Sequence, residues 1–131
     1  MPVTIEKTKH IDELHFEHQS WTRELRFYKD ELNLFKKRLE EVSGMYTSKE
    51  VTGKLEHFQN QFMVQRENID ILHHDINEHL NGMATEMQQH AGHISSDQLS
   101  TNRILQDRFE SETKIYNGLK DEFTAFVEKL M

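Results

Sequence analysis

The sequence predicts an all-α fold, an antiparallel three-helix bundle of long coiled-coil-like helices. Apolar residues recur at alternating spacings of three and four, which is the pattern of helices packed along a seam. Two short polar segments interrupt this pattern and divide it into three parts. The composition agrees, because 30% of the 131 residues are charged and only one is proline. Such a chain can cover long helices with polar outer faces and has few residues that would break them.

The first helix is predicted over about residues 5–43. From Ile11 to Val42 its seam keeps the alternating spacing, and His18 is the one position in that run that is not apolar. The helix should end at Ser43 and Gly44, because glycine suits the left-handed conformation that follows many helix C-termini.

The second helix is predicted over about residues 48–91 and the third over about 96–130. Thr47 and Glu50 have the spacing of a capping box before the second helix, as Ser95 and Gln98 have before the third. Short connections make neighbouring helices antiparallel. Residues 1–131 are therefore expected to form a single helical-bundle domain.

Polar residues on the predicted seams suggest a metal site inside the bundle. Counting outward from the two turns puts His18, Asp75 and Glu112 near one level, with His79 one helical turn away. Imidazole nitrogens and carboxylate oxygens bind iron, zinc or manganese, and helical bundles build such sites from inward-facing residues. These four residues are candidate ligands. A second candidate set lies further along the second helix and consists of Glu86 and His90.

Two other interpretations of the inward histidines remain open. Polar residues at seam positions can fix the register of the helices without binding anything. A pair between His18 and Glu112 would also raise the pKa of the histidine and make the bundle respond to pH. The Glu-x-x-His spacing of di-iron bundles and the His-Glu-x-x-His spacing of zincins are both absent from the sequence.

Several large apolar residues lie outside the seams and predict a self-association surface. They are Phe16, Phe27 and Leu34 on the first helix and Val64 and Ile71 on the second. Apolar residues shared by two outer faces suggest a contact between proteins, most simply a two-fold homodimer. The alternative is a core wider than a strict seam.

The net charge of -7, without a long basic run, argues against nucleic acids and anionic membranes as partners. The lack of cysteine excludes disulfides and thiolate metal sites. No apolar run approaches the ~20 residues of a membrane span, so a cytoplasmic location is expected.

The leading functional interpretation is a non-catalytic interaction or scaffold module that acts through its helix faces. Its partner would be a second copy or another helical protein. The alternative is a metal-binding helical bundle that holds iron, zinc or manganese between histidines and carboxylates. Phosphate-binding glycine loops and nucleophile motifs are absent, so enzyme activity is not expected unless a metal supplies it.

Overall fold

The computed structural model describes residues 11–89 and 94–131, and these fold into three α-helices. Helix α1 is Ile11–Ser43, α2 is Lys49–Gln89 and α3 is Ser96–Leu130. At roughly 1.5 Å per residue the helices are about 50–60 Å long. Helix α2 packs against both α1 and α3, which confirms the predicted all-α three-helix bundle. The predicted helical residues 5–10 and 90–91 lie outside the described part of the chain.

The predicted seams form the core of the bundle. Buried side chains follow one another at spacings of mostly three and four along each helix, so each helix presents one continuous face to the other two. The buried apolar residues are Leu14, Trp21, Leu25, Tyr28, Leu32, Leu39, Val42, Leu55, Phe58, Phe62, Ile69, Leu72, Ile76, Met83, Leu105, Tyr116, Leu119, Phe123 and Val127. Stacked and tilted aromatic rings fill much of the core, including Tyr28 on Tyr116 with ring centroids 4.1 Å apart.

The helix ends follow the predicted capping residues with one difference. Helix α1 ends at Ser43, and the Gly44 N–H donates to the last carbonyls of that helix. At the start of α2 it is the Ser48 hydroxyl, one residue after the predicted Thr47, that accepts from the Val51 N–H. At the start of α3 the Ser95 hydroxyl accepts from the Gln98 N–H, as the sequence predicted.

Hydrogen bonds that join α3 to α1 and to the segment just after α1 show that α1 and α3 run in the same direction. The Tyr116 hydroxyl donates to the Glu31 carboxylate at 2.8 Å, and the Tyr46 hydroxyl donates to the Leu130 carbonyl at 2.6 Å. The partners are 85 and 84 residues apart. A residue of α1 is therefore level with the residue of α3 that lies about 84 positions later.

The vertical alignment of the helices differs from the one obtained by counting equally from the turns. Arg66 of α2 donates to Asn33 of α1, and Arg108 of α3 pairs with Asp75 of α2 at 2.8 Å. The sequence analysis assumed that residues equally far from a turn lie at the same level. In both contacts the partner residue lies about one helical turn or more away from the residue that this assumption places level with it.

Candidate functional site

A layer of buried polar side chains crosses one half of the bundle. His18 of α1 is fully buried, and its Nε2 donates to the Asn102 Oδ1 of α3. The ring of His79 on α2 lies edge-on to that of His18, with centroids 5.4 Å apart. The Trp21 ring closes the layer toward the centre of the bundle, 4.9 Å from the His18 ring. Each helix thus contributes one polar side chain to what we call the histidine layer, namely His18, His79 and Asn102.

His79 is held as a neutral imidazole in this layer. Both of its ring nitrogens are buried and make no hydrogen bond within the described residues. Burial lowers the pKa of His79, and the neighbouring His18 lowers it further. The nearby side chains of Asn102 and Gln98 oppose this effect by raising the pKa, but the net shift is downward. Protonation of His79 is therefore unfavourable in the folded protein.

The predicted pair between His18 and Glu112 does not form. His18 bonds to Asn102 instead, and Glu112 lies ten residues further along α3, a distance of about 15 Å along the helix axis. The predicted pairing fails because of the stagger between the helices. Asn102 occupies the position opposite His18 that the sequence analysis assigned to Glu112. Identifying Asn102 from the sequence would have required the correct vertical alignment of α1 and α3.

The other predicted metal ligand of the first set also lies elsewhere. Asp75 is half-buried at the edge between α2 and α3, where its carboxylate pairs with Arg108. Of the four candidates, the structure brings together His18 and His79 only. Within residues 11–89 and 94–131, no group of three or more histidine and carboxylate side chains is arranged to hold a metal ion.

The second predicted set is only partly described, because His90 lies outside the described residues. Glu86 lies near the end of α2 and contacts the start of α3. Its carboxylate accepts from the Ser95 N–H at 2.8 Å and from the Gln98 side-chain amide at 3.1 Å. These bonds satisfy donors at the N-terminus of α3 and give Glu86 a structural role at this turn.

An apolar groove runs between α2 and α3 on the side of the bundle that faces away from α1. Its cavity volume is about 430 Å³. Three isoleucines line it while remaining about half exposed to solvent, namely Ile71 at 50%, Ile104 at 59% and Ile115 at 53%. We call this surface the isoleucine groove. Its centre lies about seven residues along α3 from Asn102 of the histidine layer.

Glu112 lies in the wall of the isoleucine groove and is 7% exposed. Its Oε2 is buried and has no hydrogen-bond partner within the described residues. Burial raises the pKa of this carboxyl to about 7, because the charged form loses its hydration without gaining a partner. The groove therefore combines exposed isoleucines with polar side chains and one buried, unsatisfied acid group.

The residues predicted for self-association are all exposed, but they are divided between different faces. Ile71 lines the isoleucine groove, and Val64 lies seven residues earlier on the same face of α2. Phe16, Phe27 and Leu34 lie on α1, which contributes no residue to that groove. Ile104 and Ile115 were missed by the sequence analysis, although their positions outside the seam of α3 were a usable signal.

Comparison of the chain with family models, with curated proteins and with solved structures found no match. In the described part of the chain, no helix combines the length and the apolar character that crossing a membrane requires. The interpretation of function therefore depends on the histidine layer and the isoleucine groove.

Proposed function

We propose that this protein is a non-catalytic interaction module that acts through its helix faces and self-associates as a homodimer. The observation that carries the proposal is the isoleucine groove, which three exposed isoleucines from two helices line together with a buried acid. Covering the apolar part of this groove with another protein favours association by roughly 25 cal/mol per Å² removed from water, before the entropic and desolvation costs of binding are subtracted. The other exposed apolar side chains support the same function, since they give α1 a second surface for a further partner.

Sedimentation velocity tests the proposal. The wild-type chain is expected to have the mass of a dimer at micromolar concentration. The double variant Ile71→Glu, Ile115→Glu should be monomeric, because each substitution adds a charge that the interface would desolvate. The matched control is Asn117→Glu, an exposed position outside the groove on the same helix. A wild-type chain that remains monomeric at every concentration measured would refute self-association.

A second pair of substitutions tests the outer face of α1. If the predicted face with Phe27 and Leu34 forms the contact, glutamates at these two positions should give monomers. Dimers that persist in this variant and dissociate in the groove variant would assign the contact to α2 and α3. Dimers that persist in both variants would exclude both faces.

A second candidate function is metal binding at the histidine layer. The observation that favours it is the adjacency of two buried imidazoles, one of which has no hydrogen-bond partner within the described residues. His18 and His79 would be the ligands, and Asn102 Oδ1 lies beside them as the acceptor for His18 Nε2. Iron, zinc and manganese all accept imidazole nitrogen.

Elemental analysis of tag-free protein separates the two functions. A metalloprotein would carry near-stoichiometric metal that His79→Ala loses and His74→Ala, at an exposed histidine, keeps. Protein without metal, also after anaerobic reconstitution with each ion, would refute this second candidate. That outcome would leave the interaction module unaffected.

A further inference from the structure

A buried methionine lies next to the histidine layer. Met83 is 2% exposed and lies one helical turn beyond His79 on the same buried face of α2. Side chains four residues apart on a helix are neighbours, with Cβ atoms about 5–6 Å apart. The main apolar cluster of buried residues reaches Trp21 and Ile76 and does not include Met83. The histidine layer therefore separates Met83 from that cluster.

The contacts between α1 and α2 place His18 level with the turn that joins His79 and Met83. Lys29 of α1 pairs with Asp70 of α2. Because the two helices are antiparallel, moving the same number of residues back along α1 and forward along α2 keeps the level. His18 is then level with the midpoint between His79 and Met83, about 3 Å along the axis from each. Two imidazoles and one thioether thus lie within one helical turn.

The two imidazole rings have the separation of ligands that share one ion. The ring centroids of His18 and His79 are 5.4 Å apart, and the ring planes are at 80°. A metal–nitrogen bond of about 2 Å puts each centroid about 3 Å from the ion, so two imidazoles on one ion have centroids about 5–6 Å apart. The terminal torsion of a histidine side chain is soft, so both rings can turn toward a common point without movement of the backbone.

Both histidines have a lone pair for a metal ion. His18 donates from Nε2 to the Asn102 carbonyl oxygen, which leaves its buried Nδ1 unprotonated. His79 is neutral, and neither of its ring nitrogens has a hydrogen-bond partner within the described residues. Metal ions bind the neutral form of imidazole. Neither ring therefore has to release a proton before it can bind an ion.

The surroundings of His79 supply no negative charge. The side chains that shift its pKa are His18, Asn102 and Gln98, and no carboxylate of the described residues is among them. The Glu86 carboxylate instead accepts hydrogen bonds from the start of α3. The energy needed to bury an ion rises with the square of its charge, so a divalent ion costs about four times as much to bury here as a monovalent one.

We propose that the histidine layer is a Cu(I) site whose ligands are His18, His79 and the thioether of Met83. Thioether sulfur is a soft ligand that selects Cu(I), and imidazole also suits copper. Three neutral ligands leave a single positive charge in the buried layer. This inference rests on the second function proposed above, metal binding at the histidine layer, and names a different ion.

Anaerobic competition with the chelator bicinchoninate tests the proposal. Cu(I) is supplied to tag-free protein as its acetonitrile complex, and the colour of the chelator complex reports how much copper the protein takes. The wild-type chain is expected to take one equivalent. The fluorescence of Trp21, the one tryptophan of the chain, should fall as this equivalent binds, because its ring lies 4.9 Å from that of His18. Zn²⁺ should bind about a hundredfold more weakly.

Matched substitutions separate this site from exposed histidines and methionines. Met83→Leu nearly preserves the volume of the side chain and should weaken Cu(I) binding by about tenfold or more. Met63→Leu, at a methionine that is 64% exposed, should leave binding unchanged. His79→Leu should lose the bound equivalent, whereas His74→Leu at an exposed histidine should keep it. Circular dichroism checks that each variant retains its helices.

The outcomes distinguish this proposal from the functions on which it builds. One equivalent of Cu(I) that is lost in His79→Leu and weakened in Met83→Leu would support it. Cu(I) bound equally by the wild-type chain and His79→Leu would overturn it, as would unchanged affinity in Met83→Leu. Zinc, iron or manganese bound in place of Cu(I) and lost in His79→Leu would overturn it and leave metal binding at the histidine layer standing. A chain that binds none of these ions would overturn both and leave the interaction module unaffected.

Discussion

Replacing Glu112 with glutamine should stabilise the protein at high pH and change little at low pH. The carboxyl is 7% exposed, and its Oε2 has no hydrogen-bond partner within the described residues. Burial raises its pKa from 4.5 to about 7. The folded state therefore binds this proton more tightly than the unfolded state does, and the carboxyl costs stability as the pH rises from 4.5 through 7.

The magnitude follows from the size of the pKa shift. A change from 4.5 to about 7 corresponds to about 3 kcal/mol once the pH exceeds 7. Glu112→Gln removes the charge while preserving the shape of the side chain. It should raise the free energy of unfolding by about 3 kcal/mol at about pH 8.5 and by less than about 1 kcal/mol at about pH 5.

Urea denaturation at these two pH values, with the protein concentration held constant, measures this difference. Glu110→Gln is the matched control, since Glu110 is exposed two residues away and its loss should change stability by less than about 0.5 kcal/mol at either pH. Equal effects of Glu112→Gln at both pH values, or destabilisation at the higher one, would refute the assignment of the raised pKa to burial.

Three further substitutions test the remaining polar contacts by urea denaturation. His79→Leu should stabilise the protein by about 1–2 kcal/mol at neutral pH, because it removes buried nitrogens without hydrogen bonds. The lowered pKa of His79 implies that the wild-type protein loses stability below pH 6.5, and His79→Leu should reduce that loss. A destabilised His79→Leu variant would contradict the prediction, and His74→Leu at an exposed position is the control. Asn102→Ala should destabilise by about 1–3 kcal/mol by removing the acceptor for buried His18, and an unchanged midpoint would show that this bond contributes nothing. Tyr116→Phe should lower the free energy of unfolding by about 1–2 kcal/mol, because it removes the hydrogen bond to the Glu31 carboxylate on α1. An unchanged free energy of unfolding would mean that water replaces this hydrogen bond.

The sequence was sufficient to predict the helices and their inward faces. The periodic spacing of apolar residues is a local property, since each helix must bury one face whatever it packs against. For this reason His18, His79 and Glu112 were correctly predicted to point inward although none of them is apolar. Gly44 and the two capping segments also marked the end of α1 and the starts of α2 and α3 to within about one residue.

The contacts between helices could not be predicted in the same way. They depend on the stagger of one helix against the next, and a displacement of one turn changes every cross-helix partner. Because of this stagger, the partner of His18 is Asn102 and not the predicted Glu112. The isoleucine groove was likewise hidden, because Ile71, Ile104 and Ile115 converge only when the relative rotation of α2 and α3 is known.

The measurement that tests the central claim most directly is sedimentation velocity of the wild-type chain beside the variant with glutamates at Ile71 and Ile115. We expect a dimer that becomes a folded monomer in the variant, with unchanged helical content by circular dichroism. A wild-type monomer, or a variant that remains dimeric, would contradict the claim that the isoleucine groove is where this protein binds its partner.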